Sequence, residues 1–439
     1  MPANPVALLP LLLFLTIFIG SGLYYQSEAV EFAFYQVQAP VAILPAIVLA
    51  IVLARGTLNQ RIETFIRGVG DSTIITMCLI YLLAGAFAAV AKAVGGVDAT
   101  VNLGLSLIPG QLVLPGLFVI TAFIATAMGT SMGTIAALAP IAVGVADATG
   151  LSLPLCVGTV IGGAMLGDNL SIISDTTIAA TRTQGCEMRD KFRMNLVIAL
   201  PAALLTLVWL FLQGEGSAVP SGDYQLIRVL PYVAVFMLAL AGLNVMLVLF
   251  SGIVLAGVVG LVGVEAYSLA QLSKDIYAGY SGMQEILLLS LLIGGLGALM
   301  ASEGGLAFLA RCVDRLTRGL QRRGQQQRAG ELGISGAVAL INLCTANNTV
   351  AILISGPLAR DIAERQGVDA RRSASLLDIF SCVAQGLLPY GAQVLLASSI
   401  AGLSPLLLIG QIHYCWMLGL AALVTIALGP VRRLAPRVA

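Results

Sequence analysis

Twelve apolar runs follow one another along this chain, separated by loops that hold most of its charge: Leu8–Tyr24, Val41–Leu53, Ile74–Val94, Leu112–Ala146, Leu153–Ala180, Asn195–Leu212, Arg228–Phe250, Gly252–Val264, Met283–Leu299, Leu332–Leu358, Ser373–Ala401 and Leu406–Leu428. In lipid every backbone N–H and C=O must be satisfied within the segment, and a helix of about 20 residues spans the hydrocarbon core. This patterning confines the chain to an all-α polytopic membrane fold. Composition agrees: 58% of the 439 residues are hydrophobic, against roughly 45–50% in soluble domains, and only 10% are charged. The net charge of +1 and the absence of a basic patch interleaved with aromatics exclude a nucleic-acid partner. The seven cysteines include no CxxC pair and sit mostly in apolar runs, so they read as small packing residues, not a disulfide or zinc framework. The run from Leu8 lacks a basic n-region and reads as a first span, not a removed signal.

Basic residues orient the spans. Arg55, Arg61 and Arg67; Arg182, Arg189, Lys191 and Arg193; Arg311 through Arg328; Arg360, Arg365, Arg371 and Arg372; and Arg432, Arg433 and Arg437 are all cytoplasmic by the positive-inside rule. Loops near Glu28 and Glu31, and near Glu215 and Asp223, are then external. Under this assignment Leu112–Ala146 and Leu332–Leu358 each begin and end on one side, so both are re-entrant. Small polar stretches in their middles suit hairpin tips: TAMGTS from Thr126 to Ser131, and TANNT from Thr345 to Thr349. Non-helical backbone at that depth requires burial in protein or a cavity to line.

An internal repeat ties the halves together. Thr130, Pro140, Gly150 and Asp168 correspond to Asn347, Pro357, Gly367 and Gln385 at one offset of 217 residues (347 minus 130). Equivalent loops carry opposite charge bias, so the repeats are inverted across the membrane. The expected organisation is a first repeat over 1–212, an external linker over 213–227 and a second repeat over 228–439. That gives about ten transmembrane helices, two re-entrant helical hairpins and broken helices, with both termini cytoplasmic. Gly324 and Gly367 should face the cytoplasm, Gly216 and Ser404 the outside. Inverted repeats with broken segments near the midplane are the architecture of secondary transporters.

The densest polar cluster within an apolar run is GDNLSIISDTT, from Gly167 to Thr177. A charged side chain near the bilayer centre costs roughly 2.5–3.5 kcal/mol on insertion scales, so Asp168 and Asp175 among Asn169, Ser171, Ser174 and Thr176 point to a cavity holding water or ions. On an unbroken helix the two carboxylates would stand about 10.5 Å apart along the axis. Sharing one cation therefore requires a break. Ile172 and Ile173 do not force one, whereas Gly167 and the Asn, Ser and Thr content weaken the helix. The plain alternative is that both aspartates cap helices at the interface. The second-half counterpart, Gln385 to Gln393, holds Gly386, Pro389, Tyr390 and Gly391, and there proline and glycine argue for unwinding. Its acidic positions are replaced by Gln385 and Ala392, so charge chemistry belongs to the first half.

GDNLSIISDTT, the TAMGTSMGT tip before it and LLDIFSCVAQGLLPYGAQ in the second half together resemble the NhaC-type sodium/proton antiporter family of the wider ion-transporter superfamily, over most of the chain. The resemblance implies an inverted-repeat transporter with helical hairpins and elevator-like movement, with Asp168, Ser171, Ser174, Asp175 and Thr176 in the family's motif region. Pro389 to Gln393 departs from the Pro-Trp-Asn type of sequence that family antiporters tend to carry. Relatives with such variants look like carriers of amino acids or carboxylates.

The expected function is cation-coupled secondary transport, sodium/proton antiport first and sodium-coupled transport of a small organic solute second. Cation and proton binding is expected at Asp168, Asn169, Ser171, Ser174, Asp175 and Thr176, with sodium on Asp168 and Asp175. The hairpin tips contribute Thr130, Ser131, Asn347, Asn348 and Thr349; the second broken helix contributes Gln385, Pro389, Tyr390, Gly391 and Gln393. Expected partners are the sodium ion, the proton, the organic solute under the second reading and the lipid bilayer, with a homodimer left open. No cofactor is expected and no enzyme: there is no Walker loop, HExxH or dinucleotide fingerprint, and the GxSG-like Gly279–Gly282 has only His413 for a base. Lys92 and Glu303 read as snorkelling span ends, Asp378 as the partner of Arg371 or Arg372, and His413 as a packed residue.

Overall fold

The computed structural model describes residues 3–28, 36–107, 109–171, 174–214, 224–241, 243–309, 311–312, 315 and 325–429. Ile172 and Ile173, Glu31, most of the 213–227 linker with Glu215, Gly216 and Asp223, much of the Arg311–Arg328 loop with Gly324, and Arg432, Arg433 and Arg437 lie outside the described residues. Among the described residues all regular structure is helical.

Among the described residues seven helices are long and apolar enough to cross a membrane, or eight if the bent pair Gly96–Ser106 and Gly110–Thr126, turned by 117°, counts as one span. Four shorter apolar helices, Ala39–Leu53, Leu226–Leu238, Ala392–Ala401 and His413–Leu428, fall below that length. The difference from ten expected crossings lies in these shorter helices, of which Ala392–Ala401 is cut short by the second helix break. Conversely, Ser131–Thr149 passes on length although it is one arm of a hairpin. Large apolar side chains stand exposed at helical spacing, Val48 and Val52, Leu204 and Val208, Val254 and Val258, which lipid solvates and water would not.

The helix boundaries repeat at the sequence offset of 217. Ser131–Thr149 recurs as Asn348–Gln366, Asp175–Gln184 as Ala392–Ala401, and the start of Leu153–Leu170 as the start of Ala370–Gly386. Helix ends match as well: Gly129, Gly150 and Gly185 adopt left-handed φ of 67°, 74° and 71°, and their counterparts Ala346, Gly367 and Gly402 adopt 50°, 69° and 64°. A left-handed residue closes a helix by turning the chain away from its axis, which glycine does without a Cβ penalty.

Packing brings the two units together. Leu153–Leu170 lies against both arms of the first hairpin, Val113–Met128 and Ser131–Thr149. At Gly167 a Cβ would overlap Ala125, so only glycine permits the approach. Ala370–Gly386 lies likewise against both arms of the second hairpin, Gln326–Thr345 and Asn348–Gln366. The short helix after each break then crosses to the other unit: Asp175–Gln184 packs on Asn348–Gln366, and Ala392–Ala401 on Ser131–Thr149. Both breaks and both tips are thereby drawn to one place.

Candidate cation site

In the first unit the helix stops at Leu170 and restarts at Asp175, with Ser171 and Ser174 both extended, at ψ of 141° and 150°. Ser174 makes the restart: its Oγ accepts from the Thr177 N–H at 3.2 Å and donates to the Asp168 carbonyl at 3.1 Å. The Asp168 side chain is 3% exposed, and its Oδ1 accepts the Ser131 N–H at 3.0 Å. Ser131 opens the helix Ser131–Thr149, whose own N-cap, Thr130, makes no capping side-chain bond. Asp168 therefore caps that helix from another one. Placing a carboxylate at a helix N-terminus satisfies an orphan donor and sets a negative charge against the positive end of the dipole. Asp175, at the start of its own helix, is exposed.

The second unit answers with amides. Asn347 caps Asn348–Gln366 through its Oδ1, which accepts the Val350 N–H at 3.0 Å, and its Nδ2 donates to the Met77 sulfur. Asn348 Oδ1 accepts the Thr349 N–H at 3.0 Å. Gln385 Nε2 donates to the Ala346 carbonyl at 2.9 Å and to Gln393 Oε1 at 2.8 Å; Gln393 Nε2 donates onward to Ser131 Oγ at 3.0 Å. This line of bonds joins the second break to the first tip. At Gly391, the N-cap of Ala392–Ala401, a Cβ would stand 2.8 Å from the Gln385 carbonyl, so the turn after Pro389 requires glycine.

Between these elements lies a cavity of about 70 Å³. Of the residues expected to form the site, Thr130, Ser131, Asp168, Asp175, Thr176, Asn347, Asn348, Thr349, Gln385 and Gln393 line it. Thr76, Met77 and Ile80, on the helix Ser72–Ala93, also line it and carry no sequence signal beyond an apolar span. The others do not line it. Asn169 turns to Asp378 at 3.0 Å and to the Tyr414 hydroxyl at 2.9 Å. Ser171 Oγ donates to the Thr126 carbonyl at 3.0 Å, Ser174 works within the break, and the Tyr390 hydroxyl donates to the Leu343 carbonyl at 2.7 Å. Pro389 and Gly391 shape the turn behind the cavity.

Two sequence readings change. Lys191, counted above among loop charges, is fully buried and pairs with Asp378, also fully buried, at 2.9 Å. Asp378 pairs with neither expected arginine: Arg371 binds Asp369 and Arg372 binds Glu331, each at 2.9 Å. Asn195, four residues after Lys191 on Met188–Gln213, donates to Asp378 Oδ2 at 2.7 Å and to the Asn169 carbonyl at 2.8 Å. The available signal was this spacing of two polar residues, which shares one helical face at the start of an apolar run. Of the remaining candidates, Lys92 is exposed, Glu303 pairs with Arg55, and His413 rests on Trp209 at 5.5 Å between ring centres.

Among the described residues no group of three or more His, Cys, Asp or Glu is placed to hold a metal ion. The lining instead offers carboxylate, hydroxyl and amide oxygens, the hard donors that suit an alkali cation carried as cargo.

Comparison with known proteins gives the context of this geometry. Residues 4–214 match the profile of the Na+/H+ antiporter family. The Na+/H+ antiporter NhaC of Bacillus subtilis is 24% identical over 396 residues, covering 83% of this chain and 85% of that protein. The NhaC of Alkalihalophilus pseudofirmus is 23% identical, covering 80% of each. The malate-2H+/Na+-lactate antiporter of B. subtilis is 23% identical, covering 76% of this chain and 77% of that protein. With residues 4–214 carrying the family match and relatives of the same kind aligned over most of their length, the chain is similar to the NhaC-type Na+/H+ antiporters.

Proposed function

We propose that this multi-pass membrane protein exchanges sodium for protons across the cytoplasmic membrane by alternating access. The observation that carries this reading is the cavity itself: about 70 Å³, with a buried carboxylate held at a helix N-terminus and hydroxyl and amide oxygens around it. Sites for small organic molecules usually run from about 300 Å³ upward, so this volume suits an ion and a few waters. Asp168 and Asp175 hold sodium in one phase, and a proton takes the same carboxylate in the other. That competition alone couples two opposed fluxes; the gradients supply the energy, and no cofactor is needed.

The repeats over 1–212 and 228–439, joined by 213–227, are inverted across the bilayer in this reading, with both termini cytoplasmic. Cysteine labels at Gly367 should then react from the cytoplasm and at Ser404 from outside. Labels reacting from one side at both positions would overturn the inversion.

A second reading, sodium-coupled transport of a small organic solute, draws support from the lactate-exchanging relative and from Asn348 Nδ2, a buried cavity-lining donor with no partner among the described residues. Purified protein in liposomes with an imposed sodium gradient and an internal pH dye tests the first reading. Sodium-dependent proton movement supports it. Sodium-driven lactate or amino-acid uptake without proton countertransport would replace it with the second.

A further inference from the structure

The Lys191 ammonium sits among four oxygens. It donates to Thr177 Oγ1 at 2.6 Å, to the Asn169 carbonyl at 3.0 Å and, more distantly, to the Asp168 carbonyl at 3.4 Å, and it pairs with Asp378 Oδ2 at 2.9 Å. Two of these oxygens are the main-chain carbonyls of Asp168 and Asn169 in the last turn of Leu153–Leu170, which have no i+4 helical donor because the helix stops there. Thr177 belongs to the restarted helix, and its hydroxyl donates to the Ser171 carbonyl at 2.8 Å. One ammonium thus spans the break from both sides. A cation at a helix C-terminus opposes the negative end of the dipole, as Asp168 opposes the positive end of Ser131–Thr149.

A lysine serving only as counter-ion to Asp378 would have no need of these contacts. Asp378 Oδ2 already receives neutral donors from Asn169 and Asn195, at 3.0 and 2.7 Å.

We propose that Lys191 is the positioning residue of the cation site: its ammonium acts as a tethered cation that holds the first helix break in shape and so keeps the Asp168 carboxylate directed to Ser131 and the cavity. Asp378, from the other half of the chain, balances the charge that this device buries. The inference rests on the sodium/proton reading and deepens it, since it concerns the geometry of the same carboxylate.

The test uses full-length protein in liposomes and compares Lys191→Met, Asp378→Asn and the double variant, reading the half-saturating sodium concentration separately from the maximal rate. Monodisperse elution and thermal melting in detergent report folding. Breaking a buried pair from one side strands a charge, whereas neutralising both partners does not, so the double variant is the decisive one where Lys191→Met fails to fold. The expected result is a half-saturating concentration raised about tenfold or more in both variants lacking Lys191, and by less than about threefold in Asp378→Asn, whose ammonium still spans the break. A purely structural pair gives the reverse pattern: each single variant impaired and the double restored to wild-type half-saturation. That outcome overturns the inference while leaving the antiport reading standing. Wild-type liposomes that exchange no sodium for protons overturn the antiport reading and this inference with it.

Discussion

The two helix breaks share a backbone and divide the chemistry. Each follows a helix wedged between hairpin arms, restarts as a ten-residue helix that crosses to the other unit, and ends on a left-handed glycine. At the equivalent positions 168 and 385 the side chains differ, and each suits the end of the helix it meets. Asp168 accepts the first N–H of Ser131–Thr149, the positive end of that helix. Gln385 donates to the Ala346 carbonyl, which closes Gln326–Thr345 at its negative end. Symmetry of the backbone therefore supplies two opposed helix termini at one cavity, and the replacement of Asp168 and Asp175 by Gln385 and Ala392 at the equivalent positions confines the charge to one wall.

The sharpest way to break this comparison is to erase the acid. Asp168→Asn is expected to lower sodium-dependent proton flux about 100-fold, as the loss of a charged hydrogen bond worth up to ~3 kcal/mol implies. Gln385→Leu should cost far less. Equal damage from both would mean that the walls are functionally alike. Under the proposed competition of proton and sodium for one carboxylate, the half-saturating sodium concentration of the wild-type protein should rise as pH falls, by up to about tenfold per unit once protonation dominates. A pH-independent half-saturation in the sodium flux assay would remove the competition.

Asp175 provides the next step down. It lines the same cavity but is exposed, so solvent screens its charge. Asp175→Asn should raise half-saturating sodium only about fivefold, corresponding to ~1 kcal/mol. A loss as large as that of Asp168→Asn would make the pair, not the buried acid, the seat of exchange.

The tips differ in the same spirit. Asn347 caps its helix and Thr130 does not. Asn347→Leu should therefore lower stability by ~1 kcal/mol while raising half-saturation a few-fold, and Thr130→Val should leave the melting temperature nearly unchanged. Collapse of expression in Asn347→Leu without any transport effect in the folded fraction would reduce Asn347 to a cap. At the left-handed residues the expected effect is on stability alone. Ala346 has φ of 50° where its counterpart is Gly129, so Ala346→Gly should stabilise the solubilised protein by about 1 kcal/mol and Gly129→Ala should destabilise it comparably. Thermal melting of both variants decides this.

Much of this arrangement is legible along the chain. Small polar interruptions within Leu112–Ala146 and Leu332–Leu358 mark both tips, and the four markers at one offset anticipate helix boundaries that recur at the same offset. Pro389 and Gly391 mark the second break, and the hydroxyl-rich motif marks the first. Less legible is which members of that motif face the cavity. Asn169, Ser171 and Ser174 belong to it by sequence, yet their side chains bond Asp378, Thr126 and the Asp168 carbonyl.

Apolar length, turn residues and an internal register determined the membrane class, the hairpins and the breaks, because backbone preference and the cost of burying unpaired amides act over a few residues and leave their mark locally. The partners of the charges were decided only in three dimensions. Lys191 reads as one more cytoplasmic charge beside Arg189 and Arg193, and Asp378 as a neighbour of two arginines, until folding buries both and brings the two halves of the chain within 2.9 Å at this pair. A buried charge takes the partner that packing delivers to it, and sequence proximity has no say in which one that is.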